Sequence, residues 1–216
     1  MRKEYRIKKV DLNGMSEGGI WESVPAMDIE CYPWKQNSYT PKVSVKVFYT
    51  PTHFHVKFYA VENEIKVEYK NMNDPVCQDS CVEFFINPNP EKDDRYLNFE
   101  VNPIGTMLLG LGKGRHGRAL ITDRSDFDSF AIKTSVKPEE AADFSGDCWS
   151  VEYAIPFRFI EKIYGRVAFD SGKRISANFY KCGDYTRYPH YGCWNEIVSE
   201  KPDFHRPECF GELVLE

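Results

Sequence analysis

The sequence has no apolar run long enough to cross a membrane and no excess of basic residues. Its 28 Lys and Arg are outnumbered by 33 Asp and Glu, which gives a formal net charge of -5. A protein that binds nucleic acid by neutralising phosphates needs a basic face, so a basic nucleic-acid-binding domain is excluded. No stretch approaches the roughly 20 apolar residues of a transmembrane helix, so we expect no membrane partner.

Several motifs of covalent chemistry are also missing. The sequence contains no Cys-x-x-Cys pair, no Gly-x-Ser-x-Gly elbow and no Asn-x-Ser/Thr acceptor. A zinc ribbon, a thioredoxin-type centre and an α/β-hydrolase are therefore without support. We predict that most of the seven cysteines are reduced and packed as small apolar side chains. The alternative is a disulfide between Cys77 and Cys81 or between Cys182 and Cys193.

The N-terminal segment carries little information on the compartment. Residues Met1 to Lys9 lack the apolar stretch of a secretory signal. The default expectation is a cytoplasmic protein, whereas a leader removed from a longer product would make it an exported one. The sequence leaves the oligomeric state open.

Alternation of apolar and polar residues with a period of two is the dominant pattern. It covers Val43–Tyr49, Phe54–Ala60, Leu97–Val101, Trp149–Ile155 and Ile175–Phe179. Turn-forming residues separate these segments, which is typical of antiparallel sheets. We predict one all-β domain over residues 1–216, an antiparallel β-sandwich of jelly-roll or immunoglobulin-like two-sheet type. One short helix is predicted from Pro156 to Tyr164, before Gly165.

Two further motifs are weak. Residues Gly112 to Gly117 match Gly-x-Gly-x-x-Gly, but no helical apolar stripe follows, so we predict a flexible loop or hairpin tip. His53 and His55 share one face of a predicted strand, a spacing that can place two imidazoles on a metal. No third ligand is identifiable, and alternating polar residues are ordinary on an exposed strand.

Polar side chains share the outward face of three predicted strands. If the phenylalanines of these strands point to the core, the alternate positions carry Glu83, Asn98, Glu100, Asn178 and Tyr180. Carboxylates and amides can hydrogen-bond the hydroxyls of a sugar, while aromatic rings can pack on its apolar face. A sugar-binding face is one interpretation, and an ordinary solvated sheet face is the other.

Five motifs occur in a fixed order along the chain. They are Asp79–Pro88, Tyr96–Gly105, Trp149–Pro156, Ala177–Tyr180 with Trp194, and the closing Phe210–Leu213. Together they resemble the family 9 carbohydrate-binding modules and their DOMON-like relatives, from about residue 43 to the C-terminus. The resemblance implies a β-sandwich that binds sugars, often at the reducing ends of cellulose- or xylan-type glycans. Such modules are commonly appended to hydrolases, often carry structural calcium and are not themselves catalytic.

The resemblance also implies roles for individual residues. Glu83 matches the sugar-contacting glutamate of the family, and Phe204 matches one wall of its aromatic clamp. We predict Trp194 as a further stacking surface, with Asn98, Glu100, Asn178 and Tyr180 as neighbouring polar contacts.

Three positions depart from the family pattern. Cys77 stands where the second clamp tryptophan is expected, Glu100 replaces an arginine that holds sugar hydroxyls, and Tyr180 replaces a glutamine. We therefore expect the fold to carry over better than the ligand specificity.

The prediction is non-catalytic carbohydrate binding in glycan utilisation, with the sugar held on the polar sheet face by hydrogen bonds and aromatic stacking. The first alternative is a glycoside hydrolase that uses Glu83 and Glu100 as a carboxylate pair, which a deep cleft and one raised pKa would favour. The second is a structural or protein-interaction sandwich, which loops covering the outward face would favour.

No cofactor is required by this prediction, and one metal site has two interpretations. The loop from Asn87 to Asp94 supplies oxygens of Asn87, Asp93 and Asp94 that suit a structural calcium ion. The same residue types are equally common as plain turn formers.

Overall fold

Thirteen strands build the fold within residues 2–13, 17–35 and 37–216, which the computed structural model describes. They are β1 (Glu4–Lys9), β2 (Met27–Ile29), β3 (Lys42–Tyr49), β4 (His53–Val61), β5 (Cys81–Asn87), β6 (Tyr96–Val101), β7 (Met107–Gly112), β8 (Ala119–Leu120), β9 (Lys133–Thr134), β10 (Trp149–Pro156), β11 (Arg174–Cys182), β12 (Tyr191–Cys193) and β13 (Gly211–Leu215). The five segments with alternating residues fall within β3, β4, β6, β10 and β11, so the predicted β class is confirmed.

Three short helices accompany the strands in the described residues: α1 (Glu17–Ser23), α2 (Arg124–Ser129) and α3 (Phe157–Tyr164). The predicted helix is α3, which starts after Pro156 and ends at Gly165, whose φ of 72° lies in the left-handed region. The expectation of a single helix is wrong, because α1 and α2 are too short to show a helical apolar period. No helix in this part of the chain is long and apolar enough to cross a membrane.

The strands form one mixed sheet with two halves. The first half has the order β8-β7-β6-β5-β11-β13-β1, with β12 beside β11, and the second has the order β1-β3-β4-β10-β9, with β2 beside β3. Strand β1 joins the halves, because its first residues pair with β13 and its last two pair with β3. Both pairings of β1 are parallel, so the prediction of a purely antiparallel sandwich is wrong.

The inward side chains of the two halves meet in one apolar core. The ring of Phe58 on β4 lies 6.1 Å from that of Phe179 on β11, and Phe99 on β6 lies 5.9 Å from Tyr153 on β10. Such interdigitation of inner faces is that of a β-sandwich. The jelly-roll or immunoglobulin-like connectivity stays a prediction.

A second apolar cluster covers the outer face of the first half. Its buried members are Val76, Cys81, Phe85, Tyr96, Tyr180, Cys182, Cys193, Ile197, Phe204 and Phe210. Val76, Ile197 and Phe204 lie outside the strands and pack with the outward side chains of the sheet in this cluster. Every residue of β5 and β6 is buried, the inward ones by the main core and the outward ones on the covered face. The interpretation of the outward face as an ordinary solvated sheet face is therefore wrong for this half. Alternation shows which residues share a face but not what covers that face.

A buried ionic network lies at one end of the main core. The Nζ atom of Lys181 lies 3.2 Å from Glu62 Oε2, and both side chains are almost fully buried. Glu62 Oε2 also accepts a hydrogen bond of 2.8 Å from Trp149 Nε1. His190 Nε2 lies 3.6 Å from Glu62 Oε1, which is too long for a hydrogen bond. Burial and the positive charge of Lys181 lower the pKa of His190 to about 3.

Replacing His190 with glutamine should make the fold less sensitive to acid. In the unfolded chain a histidine has a pKa of about 6.5, so between that value and its folded pKa only the unfolded chain takes up the proton. The stability due to neutral His190 is therefore present above about pH 6.5 and is lost as the pH falls toward the folded value. Urea unfolding at pH 7 and pH 4.5 should show the wild-type protein losing about 2–3 kcal/mol more than the variant. Equal losses would contradict this account.

Candidate functional site

Five of the seven predicted site residues lie on three adjacent strands of the first half. Glu83 is on β5, Asn98 and Glu100 are on β6, and Asn178 and Tyr180 are on β11. Glu83 stands directly opposite Glu100 on one side and Tyr180 on the other. Because residues paired across strands point to the same face, the register brings these side chains together as the alternation predicts.

The two predicted aromatic surfaces lie in different places. Phe204 comes from the loop before β13, and its ring stacks on Tyr180 at 4.2 Å with an angle of 11° between the planes. The Tyr180 hydroxyl donates to the Phe204 carbonyl oxygen at 3.1 Å, which fixes the loop over the sheet. Trp194 instead lies in the main core, with its ring edge-on to Phe179 at 5.8 Å. Only Phe204 is on the outer face.

A cavity of about 150 Å³ remains between the outer face and the loops that cover it. Its lining residues are Cys77, Glu83, Glu100, Arg115, Cys182, Asp184, Tyr191, Pro202, Asp203, Phe204 and His205. An engineered protein cavity of this volume binds benzene, so the space suits one small ring. Three predicted residues line it, namely Glu83, Glu100 and Phe204. Asn98, Asn178, Tyr180 and Trp194 do not.

The two glutamates form the polar floor of the cavity. Burial raises the pKa of the Glu83 carboxyl well above its usual range, and the neighbouring charge of Glu100 raises it further. Burial likewise raises the pKa of Glu100, to about 7. The Cys182 thiol donates to Glu83 Oε1 at 2.8 Å, and the Asn98 amide donates to Glu100 Oε1 at 2.8 Å. Each glutamate thus has one oxygen held by the protein, and both residues reach the cavity.

Asn98 acts as a support for Glu100 and not as part of the cavity wall. Its side-chain oxygen accepts a hydrogen bond from Arg118, whose guanidinium lies 4.4 Å from the Tyr96 ring centre. Gly110 is opposite Asn98, and a Cβ atom there would lie 2.5 Å from Asn98 Oδ1. The close approach therefore requires glycine at this position.

Asn178 is also structural in its contacts. Its amide donates to the Asn195 carbonyl oxygen at 2.9 Å, and its side-chain oxygen accepts from the Asn195 backbone N–H at 2.9 Å. These bonds hold the segment after β12 against the sheet and satisfy the buried amide.

Several polar residues of the cavity escaped the sequence analysis, among them Arg115, Asp184 and His205. Arg115 lies in the hairpin between β7 and β8, which confirms that residues 112–117 form a hairpin tip. Asp184 and His205 come from covering loops, and the His205 ring is joined to the Tyr96 hydroxyl by a 2.8 Å hydrogen bond. Burial and the charges of Arg118 and Arg115 lower the pKa of His205 to about 3. No periodic pattern marks such loop residues, so the sequence held no signal for them.

The seven cysteines are free thiols. This confirms the favoured prediction, and neither proposed disulfide is formed. Several of the thiols are fully buried, as expected for small apolar side chains.

The predicted calcium loop is held together by its own hydrogen bonds. The Asn87 amide donates to the Asp93 carbonyl oxygen at 2.6 Å, while Arg95 makes a two-point ion pair with the Asp93 carboxylate. Asp94 pairs with Lys113 at 3.0 Å on the surface. Calcium at this loop stays a prediction.

The comparisons with known proteins give one family match and several structural neighbours. The family model for carbohydrate-binding family 9 matches residues 20–215. A candidate carbohydrate-binding protein from Bacteroides uniformis is 27% identical, with both chains fully covered and a TM-score of 0.85. A family 9 module from Caldicellulosiruptor kristjanssonii is 15% identical in two crystal structures. Its complex with cellotriose covers 99% of this chain and 94% of the module, with a TM-score of 0.65.

The second structure of that module, a complex with glucose, covers 99% of this chain and 96% of the module, with a TM-score of 0.64. A search of curated proteins gives no match. Since the family model spans nearly the whole chain, the protein belongs to carbohydrate-binding family 9.

Proposed function

We propose that the protein binds a carbohydrate by enclosing one terminal sugar ring in the cavity above β5, β6 and β11. The observation that carries this proposal is the cavity itself, which is ring-sized, has two carboxyl groups in its floor and has Phe204 in its wall. A carboxyl group can bond adjacent hydroxyls, and an aromatic ring can pack against the C–H face of a sugar. The complexes of the Caldicellulosiruptor kristjanssonii module with glucose and cellotriose support the same ligand class.

The small volume favours a chain end over an internal segment. An internal sugar is linked to neighbouring sugars on both sides, whereas a cavity of about 150 Å³ has room for one small ring. We therefore expect one ring to enter and the rest of a chain to stay outside. The biological setting that we propose is glycan utilisation.

Glu83→Ala should weaken sugar binding by about 10- to 100-fold, because losing a buried hydrogen-bonding group costs about 1–3 kcal/mol. A glycan array would identify the ligand, and calorimetry would give the affinities of the wild-type protein and the variant. Glu139→Ala is the matched control, since Glu139 is exposed and lies outside the cavity lining. Thermal unfolding would show that both variants are folded. No bound glycan, or equal affinity of Glu83→Ala and the wild-type protein, would overturn the proposal.

The glycoside hydrolase alternative rests on the same two carboxyl groups. A retaining or inverting enzyme needs one protonated and one ionised carboxyl, whereas burial raises the pKa of both Glu83 and Glu100. The enclosed cavity also has no long cleft for a chain bound on both sides of a scissile bond. Release of reducing sugar during the binding experiment, abolished by Glu100→Gln, would establish the enzyme instead.

One observation supports the protein-interaction alternative, namely that loops cover most of the outer face. The cavity that they leave is nevertheless polar at its floor, unlike a face sealed for packing alone. We therefore place the function in the cavity.

A further inference from the structure

Three potential metal ligands converge beneath the cavity. Cys81 on β5 is directly opposite Cys182 on β11, and Glu83 follows two positions after Cys81 on the same face. Their two Sγ atoms and one carboxylate oxygen all lie within 4.8 Å of one another. All three side chains are buried, whereas Cys182 and Glu83 also reach the cavity.

The spacing of these atoms is close to that of a tetrahedral zinc site. Zinc binds thiolate sulfur at about 2.3 Å and carboxylate oxygen at about 2.0–2.2 Å, so ligand atoms at tetrahedral angles are about 3.5–3.8 Å apart. The Cys182 Sγ to Glu83 Oε1 distance is 2.8 Å, and no pair exceeds 4.8 Å. Shifts of about 1 Å within side chains would therefore form the site, without a change of strand register.

The chemistry of the three side chains selects the kind of ion. Two thiolates exclude hard cations such as Mg²⁺ and Ca²⁺, which prefer oxygen ligands, and one carboxylate suits the borderline Zn²⁺ ion. Burial raises the pKa of Cys81 to about 12 and raises the pKa of Cys182 well above its usual value. Without a metal the thiols are therefore neutral, and binding an ion releases their protons to solvent.

We propose that Cys81, Glu83 and Cys182 form a binding site for a thiophilic divalent cation, with Zn²⁺ the best fit, and that its fourth coordination position opens into the cavity. Three protein ligands and one open position are the arrangement of zinc sites that bind an exchangeable fourth ligand. Cys77 and Asp184 line the same cavity as Glu83 and Cys182. Metal binding can be tested without a sugar, because all three proposed ligands are side chains of the protein.

The proposal has a consequence for the cavity, since Glu83 belongs to both sites. A bound zinc ion would engage the carboxylate that the proposed function assigns to the sugar hydroxyls. We therefore expect zinc to change the affinity for sugar. Glu83→Ala should remove this effect of zinc, and it should also remove the direct contact of the Glu83 carboxyl with the sugar.

The test uses the full chain, reduced and freed of metal by a chelator, and titrates it with Co²⁺ and Zn²⁺ in the absence of sugar. Co²⁺ should give thiolate-to-metal charge-transfer absorption and the intense visible bands of tetrahedral coordination, and one equivalent of Zn²⁺ should remove them. Cys81→Ser and Cys182→Ser should each lose this spectrum. Cys148→Ser is the matched control, because Cys148 is exposed and lies outside the cluster. This variant should keep the Co²⁺ spectrum.

Thiol alkylation followed by peptide mapping keeps the proposal testable if a serine variant does not fold. In the folded wild-type protein the buried thiols are labelled only when the cluster opens locally, so Zn²⁺ should slow the labelling of Cys81 and Cys182 but not that of the exposed Cys148. Absence of charge-transfer absorption in the wild-type protein, or its persistence in folded Cys81→Ser and Cys182→Ser, would overturn the proposal. A disulfide joining Cys81 and Cys182, in a protein whose reduced form binds no Co²⁺, would also overturn it.

Discussion

Replacing Lys181 with methionine should lower the free energy of unfolding by about 3–5 kcal/mol. Lys181 is fully buried, and its ammonium group is the cation nearest to the buried Glu62 carboxylate in the network described above. Methionine fills a similar volume but leaves Glu62 without a counter-charge in a region that excludes water. Breaking one side of a buried ion pair therefore costs far more than the pair contributes as a whole. Chemical denaturation at pH 7 would measure the loss.

The double variant Lys181→Met/Glu62→Gln separates charge from packing. Glutamine keeps an oxygen for the Trp149 indole N–H but carries no charge, so the double variant should regain much of the stability lost by Lys181→Met. The surface pair Arg187–Glu64, whose side chains are 67% and 58% exposed, is the control. Arg187→Ala should cost less than about 1 kcal/mol. Similar losses from Lys181→Met and Arg187→Ala would show that burial does not govern the energy of this network.

Phe204→Ala should lower the free energy of unfolding by about 3–5 kcal/mol, as expected for truncating a buried phenylalanine. Phe204 stacks on Tyr180 and also lies 6.0 Å from the ring of Trp34 and 6.2 Å from that of Tyr191, so one substitution removes contacts to three rings. The same change removes part of the cavity wall, and we expect sugar binding to fall with stability. Urea unfolding and calorimetry on one preparation would measure both effects.

Val198→Ala is the control for the loop that carries Phe204. Val198 is 79% exposed, and substitutions at such positions usually change stability by less than about 0.5 kcal/mol. If Phe204→Ala lowers the free energy of unfolding as little as Val198→Ala does, the second apolar cluster adds little to the stability of the fold.

The strands and their faces could be predicted from the sequence because alternation is a local property. Leu97, Phe99 and Val101 point to the core, and the pairing of Glu83 with Glu100 follows from placing two successive strands in a hairpin. The face of a strand depends only on neighbouring residues, and the pairing of two successive strands depends only on the short connection between them.

The covering of the outer face could not be predicted, because it depends on loops without a period. Tryptophan is a residue type that can stack on a sugar, yet the ring of Trp194 packs in the main core. Phe204 was correctly placed on the outer face only through the family resemblance. The convergence of Cys81 and Cys182 depends on the antiparallel register of β5 with β11, which joins segments about 100 residues apart.

The position of β1 has a consequence for how quickly the native state is reached. Its first residue pairs with Glu212, so the seam between the two halves joins segments 208 positions apart (212 − 4). Closing such a large loop costs entropy before any contact at the seam stabilises it, and folds rich in distant pairings fold in about milliseconds to seconds. During synthesis β1 has no partner on its β13 side until β13 has been made. We therefore expect an unpaired β1 edge to be the part of the nascent protein most in need of protection from aggregation.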